Sequence, residues 1–79
     1  MTLTEYKRET GVTFVSLARR LGIHRNYLYR IVANDTSPAY ALALQIEALT
    51  DGKVPVSNWW EVLGPDPDDP RRLLVRKVR

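Results

Sequence analysis

Apolar residues recur every three or four positions through most of this chain, a spacing that predicts amphipathic helices separated by short breaks. "TLTEYKRETG" reads as a first helix: Thr2 with Glu5 fits a capping box, and Gly11 lies where a helix stops. Thr13 is the next N-cap candidate, and Phe14, Leu17, Ala18 and Leu21 in "FVSLARRL" keep helical spacing up to Gly22. "HRNYLYRIV" is a third helix, with Leu28, Ile31 and Val32 on one side. After the loop-like "ANDTS", Ser37 as cap and Pro38 at the first position predict a fourth helix, "AYALALQIEALT". Its stripe is Leu42, Ile46 and Leu49, and it stops at Asp51-Gly52.

Beyond that point the pattern weakens. "KVPV" is a short extended piece, and Ser57 is a cap candidate for a last turn or two, "NWWEVL", stopped by Gly64. "PDPDDP" can neither continue a helix nor sit inside a sheet, so it reads as a stiff linker. The closing "RRLLVRKVR" fits a strand, a short helix or a mobile arm. The expectation is an all-α domain of five short helices over residues 1–64, followed by a Pro/Asp linker and a basic, partly apolar tail over residues 65–79.

The second and third helices carry a more specific spacing. Two helices joined by a three- or four-residue turn must cross closely. Ala18 supplies the small residue at the crossing, and Gly22, four positions on, tolerates positive φ in the turn. Ile23 plugs the corner, and Leu28 and Ile31, three apart, return to the core shared with Leu17 and Leu21. Each of these seven positions holds a suitable residue type, which is a strong signal for a helix-turn-helix.

On those residues the chain resembles the DNA-binding domains of phage Cro and repressor proteins, over Leu3 to about Leu63. "ALALQIEALTDGKV" also looks like the segment after the motif in small prophage regulators of the Cro and YdaS-like antitoxin group. The resemblance implies a five-helix Cro/repressor-like fold whose motif's second helix lies in the major groove of double-stranded DNA. The base-contacting positions of the family fall on Arg25, Asn26, Tyr29 and Arg30.

Geometry leads to the same four residues. At about 100° per residue, Leu28 and Ile31 set the inward direction of the third helix, with His24 between them in angle. Arg25, Asn26, Tyr29 and Arg30 then centre roughly 160–180° away and face outward as one stripe. Arg25 and Arg30 suit guanine O6 and N7, and Asn26 suits adenine N6 and N7. Tyr29 suits a thymine methyl or a phosphate. Arg19, Arg20 and His24 are candidates for the DNA backbone, which positions a protein without reading sequence. Tyr27 flanks the stripe towards Ile31; it is expected half-buried with a wet hydroxyl, which makes it a backbone candidate as well.

Charge sharpens this picture. The formal net charge is only +3, yet no Asp or Glu occurs between Glu9 and Asp35, where Arg19, Arg20, Arg25 and Arg30 all fall. A second basic group, Arg71, Arg72, Arg76, Lys77 and Arg79, closes the chain. Cationic patches on a nearly neutral body point to a polyanion, nucleic acid first, against the plainer reading of solvated faces. With 79 residues, one domain is the expectation. The chain has no Cys and one His, which leaves no thiolate site and makes a zinc site improbable. No long apolar run suggests a leader or a membrane span, so the cytoplasm is the expected location.

No nucleophile–base pair, carboxylate dyad, phosphate loop or metal cluster is legible, so neither catalysis nor a cofactor is expected. Asp66, Asp68 and Asp69 belong to the linker, because prolines interrupt calcium-ligand spacing. The leading expectation is a sequence-specific repressor that binds a palindromic operator as a homodimer. One short helix touches too few base pairs to select a site, whereas a two-fold dimer sets two in successive major grooves. The competing expectation is an antitoxin or adaptor that binds another protein through the same fold. Trp59 and Trp60 favour it: on a helix they diverge by about 100°, which leaves one of them partly exposed for self-association. The apolar tail is the other candidate dimer surface.

Overall fold

The computed structural model describes residues 1–78. Four helices come first: α1 (Leu3–Thr10), α2 (Phe14–Leu21), α3 (Arg25–Val32) and α4 (Tyr40–Leu49). A 3₁₀ turn (Val56–Asn58) then leads into two strands, β1 (Trp60–Asp66) and β2 (Asp69–Lys77), paired antiparallel as a hairpin.

Local signals account for the ends of the first three helices. The Thr2 hydroxyl accepts from the Glu5 backbone N–H (3.2 Å) while the Glu5 carboxylate accepts from that of Thr2 (3.1 Å), completing the capping box. Thr13 caps α2 by accepting from the Ser16 N–H at 3.1 Å. At the other end of α2, the Ile23 N–H donates to the Ala18 carbonyl and the Gly22 N–H to that of Arg19. This is a Schellman closure, and it needs the left-handed residue that Gly22 provides at φ 72°. The closure turns the chain so that α3 begins after three residues, Gly22, Ile23 and His24.

The core forms where the inward faces meet. Leu3 from α1, Leu17 and Ala18 from α2, Leu28 and Ile31 from α3 and Ile46 from α4 are buried together with Val54. Leu21 and Ile23 pack at its edge. Thr50 is buried without cost to hydrogen bonding: its hydroxyl donates to the Ile46 carbonyl (2.8 Å) and accepts from the Val54 N–H (3.1 Å).

The expected fourth helix starts later than its sequence signals indicate. Ser37 does not cap it; α4 begins at Tyr40 behind Ala39, with no side-chain cap. Pro38 is instead buried, and its carbonyl accepts from the Trp60 indole N–H at 2.9 Å.

The larger correction concerns fold class. The chain is not an all-α, five-helix domain: the segment expected to be a fifth helix, "NWWEVL", starts at the last residue of the 3₁₀ turn (Val56–Asn58) and continues as β1. Trp60 and Val62 suit a strand, and β2 supplies the partner that a strand requires, with Trp60 opposite Lys77 and Val62 opposite Val75. "PDPDDP" is no spacer between these elements. β1 runs through Gly64 and Pro65, and the hairpin turns at Pro67 and Asp68. The turn is closed by the Asp68 N–H donating to the Asp66 carboxylate (2.9 Å). A two-stranded hairpin has only edges, so its prolines break no interior ladder.

The hairpin projects from the helical body. The molecule measures 43 × 22 × 21 Å with a radius of gyration of 13.4 Å, against ~12 Å for a compact chain of this length. The hairpin is tied down at its base. Besides its bond to Pro38, Trp60 meets Tyr40 edge-on at 6.0 Å, and the Val78 N–H donates to the Trp59 carbonyl at 2.9 Å. Trp59 packs against the core, so both indoles are half-buried and neither is left as an exposed patch. Arg79, counted above in the basic tail, lies outside the described residues.

Candidate nucleic-acid interface

The outward side of α3 is built by exclusion. Leu28 and Ile31 are buried, Tyr27 and Val32 are half-buried, and Arg25, Asn26, Tyr29 and Arg30 are exposed. Arg25 with Tyr29 and Asn26 with Arg30 are four residues apart, and Asn26 with Tyr29 three, so the four share one helical face. Tyr27 packs against the core as its angle indicates. Arg19 and Arg20 are exposed in the last turn of α2, just before the turn that leads into α3.

His24 occupies the N-cap of α3 and is exposed. Its Nδ1 accepts from the Asn26 backbone N–H at 3.1 Å. A neutral ring that accepts there carries its proton on Nε2; the Tyr27 and Leu28 N–H groups donate to the His24 carbonyl at 3.0 and 3.2 Å, so of the first-turn backbone donors only that of Arg25 lacks a partner among the described residues. A phosphate is the natural acceptor for such a group.

The structure adds a residue that the sequence pattern did not single out. Lys7, from the last turn of α1, holds its Nζ 4.6 Å from the centre of the Phe14 ring. Phe14 in turn meets the Tyr29 ring edge-on, with centroids 6.0 Å apart and planes at 75°. The stack restrains Tyr29, which is 43% exposed, and adds the cation of α1 to the flank of the α3 face. No local signal marks Lys7 for this position; only the packing of α1 beside the start of α2 does.

Electrostatics separate this face from the rest of the surface. Among the described residues, Arg19, Arg20, Arg25 and Arg30 have no carboxylate within ion-pair distance; the two pairs present, Arg71–Asp69 and Arg76–Glu61, both lie in the hairpin. A cleft of about 560 Å³ opens between the start of α1, the loop after α3, Trp59 and Lys77, and it includes no residue of the basic face. Among the described residues no group of His, Cys, Asp or Glu is arranged to hold a metal ion, and no helix is long and apolar enough to cross a membrane. Comparison with protein-family models, curated proteins and solved structures finds no match to this chain.

Proposed function

We propose that this chain is a sequence-specific DNA-binding transcriptional regulator, a repressor resembling phage or prophage Cro in its mode of action, and not an enzyme. It acts in the cytoplasm of a bacterial host, on the nucleoid, as a homodimer on a palindromic operator. The observation that carries this reading is the α3 face. Two arginines, an asparagine and a tyrosine stand exposed in one stripe, the arginines forming no ion pair among the described residues, on a short helix whose other side is buried. Arg25, Asn26, Tyr29 and Arg30 read base edges in the major groove. Arg19, Arg20 and His24 grip the backbone, with Lys7 and the hydroxyl of Tyr27 at the margin. Bound to its operator, the protein represses by excluding polymerase.

Titration of variants on cognate and scrambled duplexes at two salt concentrations tests the reading, once selection from random DNA has supplied the cognate sequence. Arg30→Ala is expected to cost about 1–3 kcal/mol on the cognate site and to relax preference at one symmetric pair of positions. Arg20→Ala and Lys7→Ala should weaken both duplexes alike, each lowering the salt slope by about 1. Equal losses on both duplexes for Arg30→Ala would reduce it to a phosphate contact. A second reading, an adaptor or antitoxin that binds protein, draws support from the apolar residues exposed on the hairpin. It expects salt-independent behaviour on heparin and no effect of either arginine on DNA.

A further inference from the structure

Tyr29 needs more than an outward position in order to read a base. An exposed tyrosine on a helix has two open χ1 wells, at about 180° and about −60°, and its ring occupies different ground in each. A side chain that samples both meets no base at a fixed place. Apolar contact is the most sensitive to this, because a gap of about 0.5–1 Å forfeits a quarter to a half of the attraction. One well must be selected before the ring can discriminate.

Phe14 is placed to make that selection. It is the first residue of α2, directly behind the Thr13 cap, and it packs against the core. Lys7 stands 4.6 Å from its ring centre, which adds a hold from α1. From that footing Phe14 meets the Tyr29 ring at 6.0 Å and 75°. An edge-on contact of this kind favours one arrangement by about 2- to 10-fold. It holds the body of the ring, so the contact it prepares on DNA is an apolar one. On base-pair edges in the major groove, the apolar group is the thymine methyl. We infer that Phe14 is a specificity-determining positioning residue, which orients Tyr29 so that its ring packs on a thymine methyl at one base pair of each half-site. The inference rests on the DNA-binding reading and deepens it: a preference expressed by α3 depends on a residue of α2.

Uracil in place of thymine removes the methyl and leaves the hydrogen-bonding edge unchanged. Each thymine of one half-site in the selected duplex is replaced in turn, and the full chain is titrated on every version. The parent should bind about fourfold more weakly at one replaced position, the worth of one buried methyl. Tyr29→Ala should bind that duplex and the thymine duplex alike. Phe14→Leu and Phe14→Met, apolar but without a ring, should also lose most of the difference. Both should keep the guanine preference of Arg30 and the parent's helical circular dichroism. Phe14→Tyr, which retains the ring, should restore the thymine preference. In the free protein, the proton resonances of the Tyr29 ring should move on Phe14→Leu. A parent indifferent to every replacement overturns the inference, as does a thymine preference that survives both ring-free variants. Equal losses at every position, or Tyr29 resonances that ignore Phe14, overturn it too. These outcomes leave the DNA-binding reading standing, whereas a parent that prefers no duplex ends that reading and the inference together.

Discussion

Residues 13–32 and residues 60–77 carry four basic side chains each, and the two regions use them in opposite ways. In the helix-turn-helix there is no acid to meet them, and a buried row beneath them turns all four outward. In the hairpin four acids are interleaved, two ion pairs form, and the exposed apolar side chains are left as the distinguishing feature. Equal counts of positive charge thus give a cationic face without ion pairs among the described residues in one region and a neutral, apolar arm in the other. What differs is the spacing of the acids and the location of the core. The first region is supported by packing from α1 and α4, whereas the second is held chiefly at its base.

The strongest way to break this comparison is through stability. Leu28→Ala empties a fully buried site and is expected to cost about 2–5 kcal/mol, a large share of the roughly 4–12 kcal/mol available to a chain of this length. Leu73→Ala should change monomer stability by no more than about 0.5 kcal/mol. Chemical denaturation in dilute solution measures both, and similar losses would mean that the hairpin shares the core after all.

The glycines offer a smaller contrast. A Cβ added at Gly22 meets no atom within 4 Å, so the cost of Gly22→Val is expected to be chiefly the strain of φ 72°, about 1–2 kcal/mol. Thermal melts should fall by several degrees; a parent-like melt would count against the left-handed turn. Gly64, at φ 123° beside the bulge, is equally uncrowded. Gly64→Val should disturb the hairpin's amide protection while leaving the helical melt nearly unchanged.

The smallest effects concern single carboxylates. Glu5 is held below its ordinary value of 4.5, chiefly by the hydrogen bond from the Thr2 backbone N–H. A carboxyl lowered on folding stabilises the protein above its unfolded value and loses that contribution as pH falls through the folded one. Glu5→Ala should therefore melt below the parent near neutral pH, and the gap should close on acidification below 4.5. Glu61 acts otherwise, through an exposed pair with Arg76 at 2.6 Å. Glu61→Gln should cost about 0–1 kcal/mol, less in high salt. A pH-independent gap for Glu5→Ala would mean that helix propensity, not the cap, explains its loss.

The first three helices and their turns were legible because the forces that set them act over three or four residues. Thr2 with Glu5, Thr13, and Ala18 with Gly22 and Ile23 are each complete within one turn of chain. The exposed side of α3 was legible for the same reason, since fixing Leu28 and Ile31 inward fixes Arg25, Asn26, Tyr29 and Arg30 outward. Ser37 misled because a local cap signal lost to a distant demand: Trp60 takes the Pro38 carbonyl. Lys7 was passed over because its position depends on a ring in another helix.

By itself, then, the sequence determined the helix-turn-helix spacing, the capped helix ends and an acid-free outward face, all consequences of helical geometry and short-range hydrogen bonding. Only the tertiary structure decided that the last quarter of the chain is a hairpin and that it leaves Val62 and Leu73 uncovered. The physical reason is that a strand's backbone groups are satisfied by another segment, not by its own neighbours. Trp60 pairs with Lys77, seventeen residues on, and nothing local to "NWWEVL" announces that partner.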